Sequence, residues 1–140
     1  MPRIALLDWD AARTEARRIR TTVFVEEQGV PVEIEMDDMD AVSVHALAYV
    51  GGAAVGTGRL LPDGHIGRMA VLKESRAHGV GGAILAGLVA EARRRGMKEA
   101  VLAAQTHALG FYRKHGFREV GPVFEEAGIP HQEMRRVLNS

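Results

Sequence analysis

Residues 76–82 have the sequence Arg76-Ala77-His78-Gly79-Val80-Gly81-Gly82, and this stretch decides the fold. A run typical of a strand, Ile66 to Leu72, precedes it, and a strongly helical run, Ala83 to Arg95, follows it. Three glycines at such a turn let a ligand approach the backbone, where the helix offers free N–H groups and a positive dipole end. The stretch therefore predicts a phosphate or pyrophosphate site with Arg76 as a charged contact, and its alternative is a plain turn with a glycine hinge.

Two common phosphate-binding motifs are excluded by the residues around these glycines. The nucleoside-triphosphate loop needs a Gly-Lys pair, which the chain lacks, and Ile84 stands where the dinucleotide fingerprint needs its third glycine. The pattern that remains is Arg76-x-x-Gly79-x-Gly81, preceded by Val71. This pattern resembles the acyl-coenzyme A pyrophosphate loop of the GCN5-related N-acetyltransferases.

A second motif of the same family follows at the expected distance. Residues 105–117 resemble the family pattern N-x-x-A-x-x-[LF]-Y-x-x-x-G-F, with Gln105 in place of the asparagine. The matching positions are Ala108, Phe111, Tyr112, Gly116 and Phe117. Two motifs in the right order identify the superfamily far better than either motif alone.

Three further segments resemble the ElaA-like branch of this family. Residues 20–28 match the pattern R-x-x-V-F-V-x-E-Q, and an acidic stretch from Glu33 to Asp40 follows. The third segment is Gly128-Ile129-Pro130-His131 near the C-terminus. The resemblance extends from about Arg20 to the end of the chain.

The resemblance implies an α/β fold with a mixed, splayed, largely antiparallel sheet of six to seven strands and helices on both faces. The coenzyme would lie in the gap between the strands that end near Val71 and Leu102. The patterns predict one domain over residues 1–140, which begins with a helix from the cap Asp10 to Glu27. Three strands follow, at 44–50, 54–61 and 66–72, and then a helix at 83–95. The remaining elements are a strand at 99–104, a helix at 107–115, a strand from 117 and a strand at 132–137.

The family reaction is direct transfer of an acetyl group from acetyl-CoA to a primary amine in a ternary complex. The resemblance assigns the coenzyme contacts to Met69, Ala70, Val71, Arg76, Ala77, His78, Gly79, Val80, Gly81, Gly82, Gln105, Phe111 and Tyr112. Strand N–H groups around Met69 to Val71 would hold the carbonyl oxygen of the thioester. An acyl-CoA-binding module without turnover and a nucleotide-phosphate binder are the alternatives.

Tyr112 occupies the position where the family often has a general acid, and its alternative role is an aromatic anchor in the core. The base that accepts the amine proton is sought among Glu26, Glu27, His107 and His131, with Glu27 favoured as catalytic. The resemblance also assigns the substrate side to Glu26, Gln28 and His131.

Two charged segments each allow more than one interpretation. The segment from Glu33 to Asp40 contains five carboxylates. It is a solvated loop, a negative rim for a cationic amine, or a segment that Asp37 and Asp40 hold by capping or by pairing with an arginine. Arg20 and the other arginines of the first helix form a coenzyme-binding patch or, as we expect, a solvated helix face.

Composition excludes several classes of function. Eighteen basic and eighteen acidic residues cancel, so no overall field favours nucleic acid or a membrane. The chain has no cysteine and no metal-ligand spacing, so no metal site is expected. The N-terminus lacks a signal-peptide pattern, which predicts a cytoplasmic protein. The acceptor would be a small-molecule or peptide amine, and the family resemblance allows a homodimer.

Overall fold

The computed structural model of the protein describes residues 2–138. Within that range the strands are β1 (Arg3–Leu7), β2 (Val44–Val50), β3 (Ala53–Leu60), β4 (Ile66–Val71), β5 (Glu99–Gln105), β6 (Arg118–Glu126) and β7 (Ile129–Val137). The helices are α1 (Trp9–Arg20), a π-helical segment (Thr21–Glu27), α2 (Val32–Glu35), α3 (Val80–Arg94) and α4 (Leu109–Lys114), with 3₁₀ turns at Asp40–Val42, Lys73–Ser75 and Thr106–Ala108.

The strands form two antiparallel sheets that meet at one point. One sheet has the order β1-β2-β3-β4, and the other has the order β5-β7-β6. A parallel bridge between His65 and Val101 joins them, with the Val101 N–H donating to the Gly64 carbonyl at 3.0 Å. Beyond this bridge β4 and β5 separate, which confirms the splayed, largely antiparallel architecture.

Helices cover both faces of the first sheet because alternate residues of a strand point to opposite sides. Ala46 of β2 belongs to the main core with Ile84 of α3, whereas the adjacent Leu47 packs with Ala12 and Ala16 of α1. The main core also includes Leu102, Phe117 and Met134 of the second half of the chain. Helix α3 therefore packs where the two sheets come together.

The N-terminal region differs from the sequence-based prediction in two respects. The cap of α1 is Asp8, not Asp10, because the extended backbone of Asp8 lets its side chain accept the Ala11 N–H at 2.9 Å. The strand β1 was not predicted, since it is a short edge strand that pairs with the distant residues of β2. Helical structure does continue to Glu27, but its last part is π-helical: the Gln28 N–H bonds to the Val23 carbonyl, five residues back.

A buried network of arginines and carboxylates fixes the acidic segment. Arg20 bonds to Glu35 and donates to both carboxylate oxygens of Asp40 at 2.8 and 3.1 Å. Arg59 donates to Asp37 at 2.7 and 2.8 Å and to Asp40 at 3.0 Å. Arg68 completes the network with a contact to Asp37 at 3.2 Å, so three carboxylates face three guanidinium groups.

This network corrects two expectations. Arg20 does not lie on a solvated face, since it is 1% exposed. The acidic segment is not a free negative rim either, because the charges of Glu35, Asp37 and Asp40 are neutralised by arginines. The pairing of Asp37 and Asp40 with arginines is the interpretation that the structure supports.

We expect Asp40→Asn to destabilise the fold by about 3–5 kcal/mol, because Glu35 and Asp37 alone would then face Arg20, Arg59 and Arg68 and one positive charge of the buried network would be uncompensated. Asp38→Asn is the matched control, since Asp38 is exposed, and its effect should stay within about 0.5 kcal/mol. Denaturant unfolding monitored by circular dichroism measures both values. Equal stability of the two variants would contradict the structural role of the network.

The same network makes stability depend on acidity. Hydrogen bonds from Arg59 lower the pKa of Asp37 to about 2, and those from Arg20 and Arg59 lower the pKa of Asp40 despite its burial. A carboxyl group whose pKa is lower in the folded state than in the unfolded state stabilises the fold at pH values above its ordinary pKa of 3.8. This stabilisation is lost as the pH falls towards 2 and the group becomes protonated in both states. We therefore expect the free energy of unfolding to fall across this range, and to fall less in Asp40→Asn.

Candidate active site

A cleft of about 760 Å³ opens where β4 and β5 separate. Its walls contain Met69, Ala70 and Val71 of β4, together with Leu102 and Ala103 of β5. The end of the π-helical segment and the turn between β6 and β7 contribute further lining residues.

The glycine loop lies at the C-terminal end of β4. Gly79 is the N-cap of α3 and has a φ of 79°, and Ala77 also has a positive φ, 65°. The N–H groups of residues 77–82 donate to no acceptor within the described part of the chain. His78 and Gly79 are exposed, and no side chain caps the helix. The loop therefore presents a row of free donors at a helix N-terminus, as an anion site requires.

Gly81 is a loop position where the protein itself could accommodate a side-chain β-carbon. A β-carbon at this position would meet the Phe111 ring at 3.6 Å and Val71 at 4.0 Å, which are ordinary contacts. Packing within the protein therefore does not require a glycine here. Phe111 lies beside this position on α4 and is 37% exposed.

Arg76 and Glu27 form an ion pair beside the loop. The Arg76 guanidinium donates to both carboxylate oxygens of Glu27 at 2.8 Å, and its Nε donates to the Val71 carbonyl at 2.8 Å. Glu27 lines a second, adjacent cavity of about 430 Å³ with Arg18 and Lys73. Glu27 thus contacts the expected anion site instead of projecting into the cleft.

The Tyr112 hydroxyl points across the cleft towards β4. Its oxygen lies 4.0 Å from the Met69 sulfur, and its ring packs edge-on against Phe111 and Phe117. Burial raises the pKa of Tyr112 to about 12, so the hydroxyl keeps its proton. The ring of Tyr112 is therefore anchored by aromatic packing, and the residue also lines the cleft.

A chain of polar side chains crosses one end of the cleft. The Gln105 amide donates to the Gln28 side-chain oxygen at 3.1 Å and accepts from the ring of His107 at 2.7 Å. Gln105 and Gln28 come from opposite walls, β5 and the end of the π-helical segment. The structure therefore brings Gln28 and Gln105 together, whereas Glu26 is an exposed residue outside both cavities.

His131 lies on the cleft wall next to Gln105, its partner in the register of β5 and β7. Its side chain is 9% exposed. The Nδ1 atom is 2.7 Å from the Ile129 carbonyl. Because a carbonyl oxygen only accepts, Nδ1 carries a hydrogen in this contact, and in the neutral ring Nε2 is then the acceptor.

Sequence reasoning missed Arg68, which shapes the cleft wall. Between Thr57 and Arg59 of β3, the partners on β4 change from Ala70 to Gly67, so β4 contains an extra residue there. Arg68 occupies this bulge with a φ of 50°. No local signal marks the position, since an arginine rarely adopts this conformation.

Contacts with the acidic segment hold the bulge in place. The Arg68 side chain donates to the carbonyl oxygens of Glu35 at 3.1 Å and Ile34 at 3.2 Å. These bonds join the bulge to the buried arginine network. The residues after the bulge, Met69 to Val71, are therefore fixed at the cleft wall.

Residues 2–138 contain neither a cluster of metal ligands nor a helix suited to a membrane. No group of three or more histidine, aspartate or glutamate side chains is arranged to hold a metal ion. No helix is long and apolar enough to span a bilayer.

We expect Gly81→Asp to leave a folded protein that binds coenzyme A about 10- to 100-fold more weakly, because a carboxylate would face the free N–H groups and repel phosphate. Gly81→Ala adds only the β-carbon and should lose much less affinity. Calorimetric titration measures the dissociation constants, and thermal unfolding checks the fold. Unchanged affinity in Gly81→Asp would show that the phosphates are held elsewhere.

The sequence of this protein is similar to known proteins along nearly its whole length. Residues 13–138 match the family model described as an acetyltransferase (GNAT) domain. The uncharacterized N-acetyltransferase YjcF of Bacillus subtilis is 42% identical over 126 residues, covering 87% of this chain and 90% of that protein. Protein ElaA of Escherichia coli is 32% identical over 127 residues, covering 85% and 83%.

Solved structures agree with the sequence relatives. An acyl-CoA N-acyltransferase from Pseudomonas aeruginosa superposes with a TM-score of 0.87 at 29% identity, covering 97% of this chain and 99% of that one. The crystal structure of Escherichia coli ElaA gives a TM-score of 0.86 at 28% identity, covering 97% and 99%. The chain belongs to the GCN5-related N-acetyltransferase (GNAT) family.

Proposed function

We propose that this protein transfers an acetyl group from acetyl-CoA to a primary amine by direct attack in a ternary complex. The observation that carries the proposal is the row of free N–H groups at residues 77–82, which leads into a cleft faced by the Tyr112 hydroxyl. A polyphosphate fits the first feature, and a thioester sulfur fits the second.

The loop and the splayed strands would hold the coenzyme. The loop N–H groups and Arg76 suit the pyrophosphate, because fixed donors and a guanidinium match phosphate oxygens. The separation of β4 and β5 leaves strand edges that can pair with the amide groups of the pantetheine arm. The backbone near Met69, after the bulge, is the proposed site for the carbonyl oxygen of the thioester.

Tyr112 would stabilise the leaving sulfur mainly by a hydrogen bond. An ordinary thiol has a pKa of about 8.5. Full proton transfer from a phenol with a pKa of about 12 would therefore be uphill by roughly 5 kcal/mol. A hydrogen bond from the intact hydroxyl stabilises the thiolate as the carbon–sulfur bond breaks, without requiring that transfer.

A thiol-release assay with acetyl-CoA and a panel of primary amines tests the proposal. Amine-dependent release of coenzyme A is expected. Stabilisation by acetyl-CoA without any release would favour the binding-module alternative, and stabilisation by ATP alone would favour a nucleotide-phosphate binder.

Tyr112→Phe deletes only the hydroxyl, so we expect turnover to fall about 10²-fold while the affinity for acetyl-CoA changes little. Tyr49→Phe is a matched control, because Tyr49 is the other tyrosine and packs near α1, away from the cleft. Steady-state kinetics and calorimetry give the two quantities. Wild-type turnover in Tyr112→Phe would exclude this role.

Glu27 has a second interpretation as the counterion of Arg76. Its expected role as a base stays a prediction, and Glu27→Gln distinguishes the two roles. If Glu27 neutralises Arg76, the variant should bind coenzyme A roughly two- to five-fold more tightly and keep its turnover. If Glu27 is the base, turnover falls and affinity does not improve. Glu26→Gln controls for the loss of one negative charge from an exposed neighbouring position.

A further inference from the structure

The turn between β6 and β7 forms part of the cleft wall. Its two residues, Ala127 and Gly128, have φ values of 53° and 76°. Positive φ at both positions is typical of the tightest hairpin turns, where glycine and asparagine are preferred and alanine is strained. The turn sets Glu126 opposite Ile129, and both residues line the cleft. Backbone strain at a cleft wall is a reason to look for function there.

His131 presents a fixed acceptor nitrogen at this turn. Its Nδ1–H is held by the Ile129 carbonyl, so the lone pair of Nε2 has a defined direction. The ring also stacks on Phe124, with centroids 6.0 Å apart and an angle of 24° between the planes. These contacts leave Nε2 as the free end of the ring, 3.9 Å from the carboxylate of Glu126.

Glu126 differs from the other carboxylates that line the cleft. Glu35 and Asp37 both pair with arginines. Within residues 2–138, the partner of the Glu126 carboxylate at ion-pair distance is the ring of His131, and the Glu126 side chain is 55% exposed. Glu126 is therefore the cleft carboxylate whose charge no arginine neutralises.

We propose that Glu126 and His131 form the acceptor subsite, and that its ligand is a primary alkylammonium group. One nitrogen can hydrogen-bond to both side chains at ~2.9 Å, since their facing atoms are 3.9 Å apart. The Glu126 carboxylate attracts the cation, and Nε2 of His131 takes one of its protons. This inference rests on the proposed function and adds the two residues that bind and deprotonate the acceptor.

The protons balance in this sequence. The ammonium gives one proton to His131 and becomes a neutral amine, whose lone pair forms the new nitrogen–carbon bond. The carbon–sulfur bond breaks, and the sulfur takes the electron pair as thiolate. The nitrogen then loses a second proton, which ends on the sulfur, and His131 releases the first proton to solvent past Glu126. The products are the amide, coenzyme A and one free proton.

The binding part is tested without turnover. Protein with ¹⁵N-labelled histidine is saturated with coenzyme A and titrated with n-butylamine at pH 7, with 1-butanol as the neutral comparison. The His131 ring signals, assigned from a His131→Asn spectrum, should shift with n-butylamine and not with 1-butanol. Glu126→Gln should weaken this binding roughly two- to five-fold, and Glu125→Gln, on the opposite face of β6, should not. Absence of the shift in the wild type would overturn the subsite.

The catalytic part uses thiol release with ethylamine and with 2,2,2-trifluoroethylamine, which is largely neutral at pH 7. His131→Asn keeps a donor for the Ile129 carbonyl and removes Nε2, so turnover of ethylamine should fall about 10²-fold or more. The loss should be smaller for the neutral amine, and the KM for acetyl-CoA should not change. Equal losses for both amines would overturn the role in proton transfer.

The two proposals can fail separately. If the wild type releases no thiol with any amine but the His131 signals shift, the proposed function is wrong and the ammonium site stands. If thiol is released while the signals do not shift and Glu126→Gln leaves the amine KM unchanged, the acetyltransferase function stands and this subsite is wrong.

Discussion

The buried arginine network is the interaction on which the shape of the cleft depends. Arg20 at the end of α1 holds Glu35 and Asp40, Arg59 of β3 holds Asp37 and Asp40, and Arg68 joins the group from the bulge of β4. The network thereby ties the first helix, the acidic segment and the wall of the cleft together. The pairing of β4 with β3 fixes Ala70 and Val71 as well, and the network adds the contacts that hold the bulge and the acidic segment against them.

Such a network specifies a conformation more than it adds stability. Removing charged groups from water costs several kcal/mol per ion, which their mutual attraction only offsets when the geometry is good. Here the charges balance, but two polar atoms, His45 Nδ1 and Arg59 Nε, have no partner among the described residues. They sit on paired positions of β2 and β3. Burying these two atoms without hydrogen bonds lowers the free energy of unfolding. The network therefore contributes more to the precise position of the cleft wall than to stability.

Local features could be predicted from the sequence, whereas contacts between residues far apart in the chain could not. The glycine loop was readable because the turn, the glycines and the helix start are contiguous. The burial of Arg20 was not, since its partners lie 15 and 20 residues away and the periodicity of one helix says nothing about them. The pair of Arg76 and Glu27 joins residues 49 positions apart. Likewise, no pattern marks the tautomer of His131, because it is set by a carbonyl oxygen in the fold.

The two ends of the cleft come from different parts of the chain. Under the proposed function, the loop at residues 76–82 serves the coenzyme, while the turn at residues 126–131 and the segment near Gln28 face the acceptor. The turn and β4 belong to separate sheets joined near His65 and Val101, so a substitution in the turn need not alter the strand pairing of β4. Descendants of such a chain can therefore diverge in the amines that they accept while inheriting the same donor chemistry.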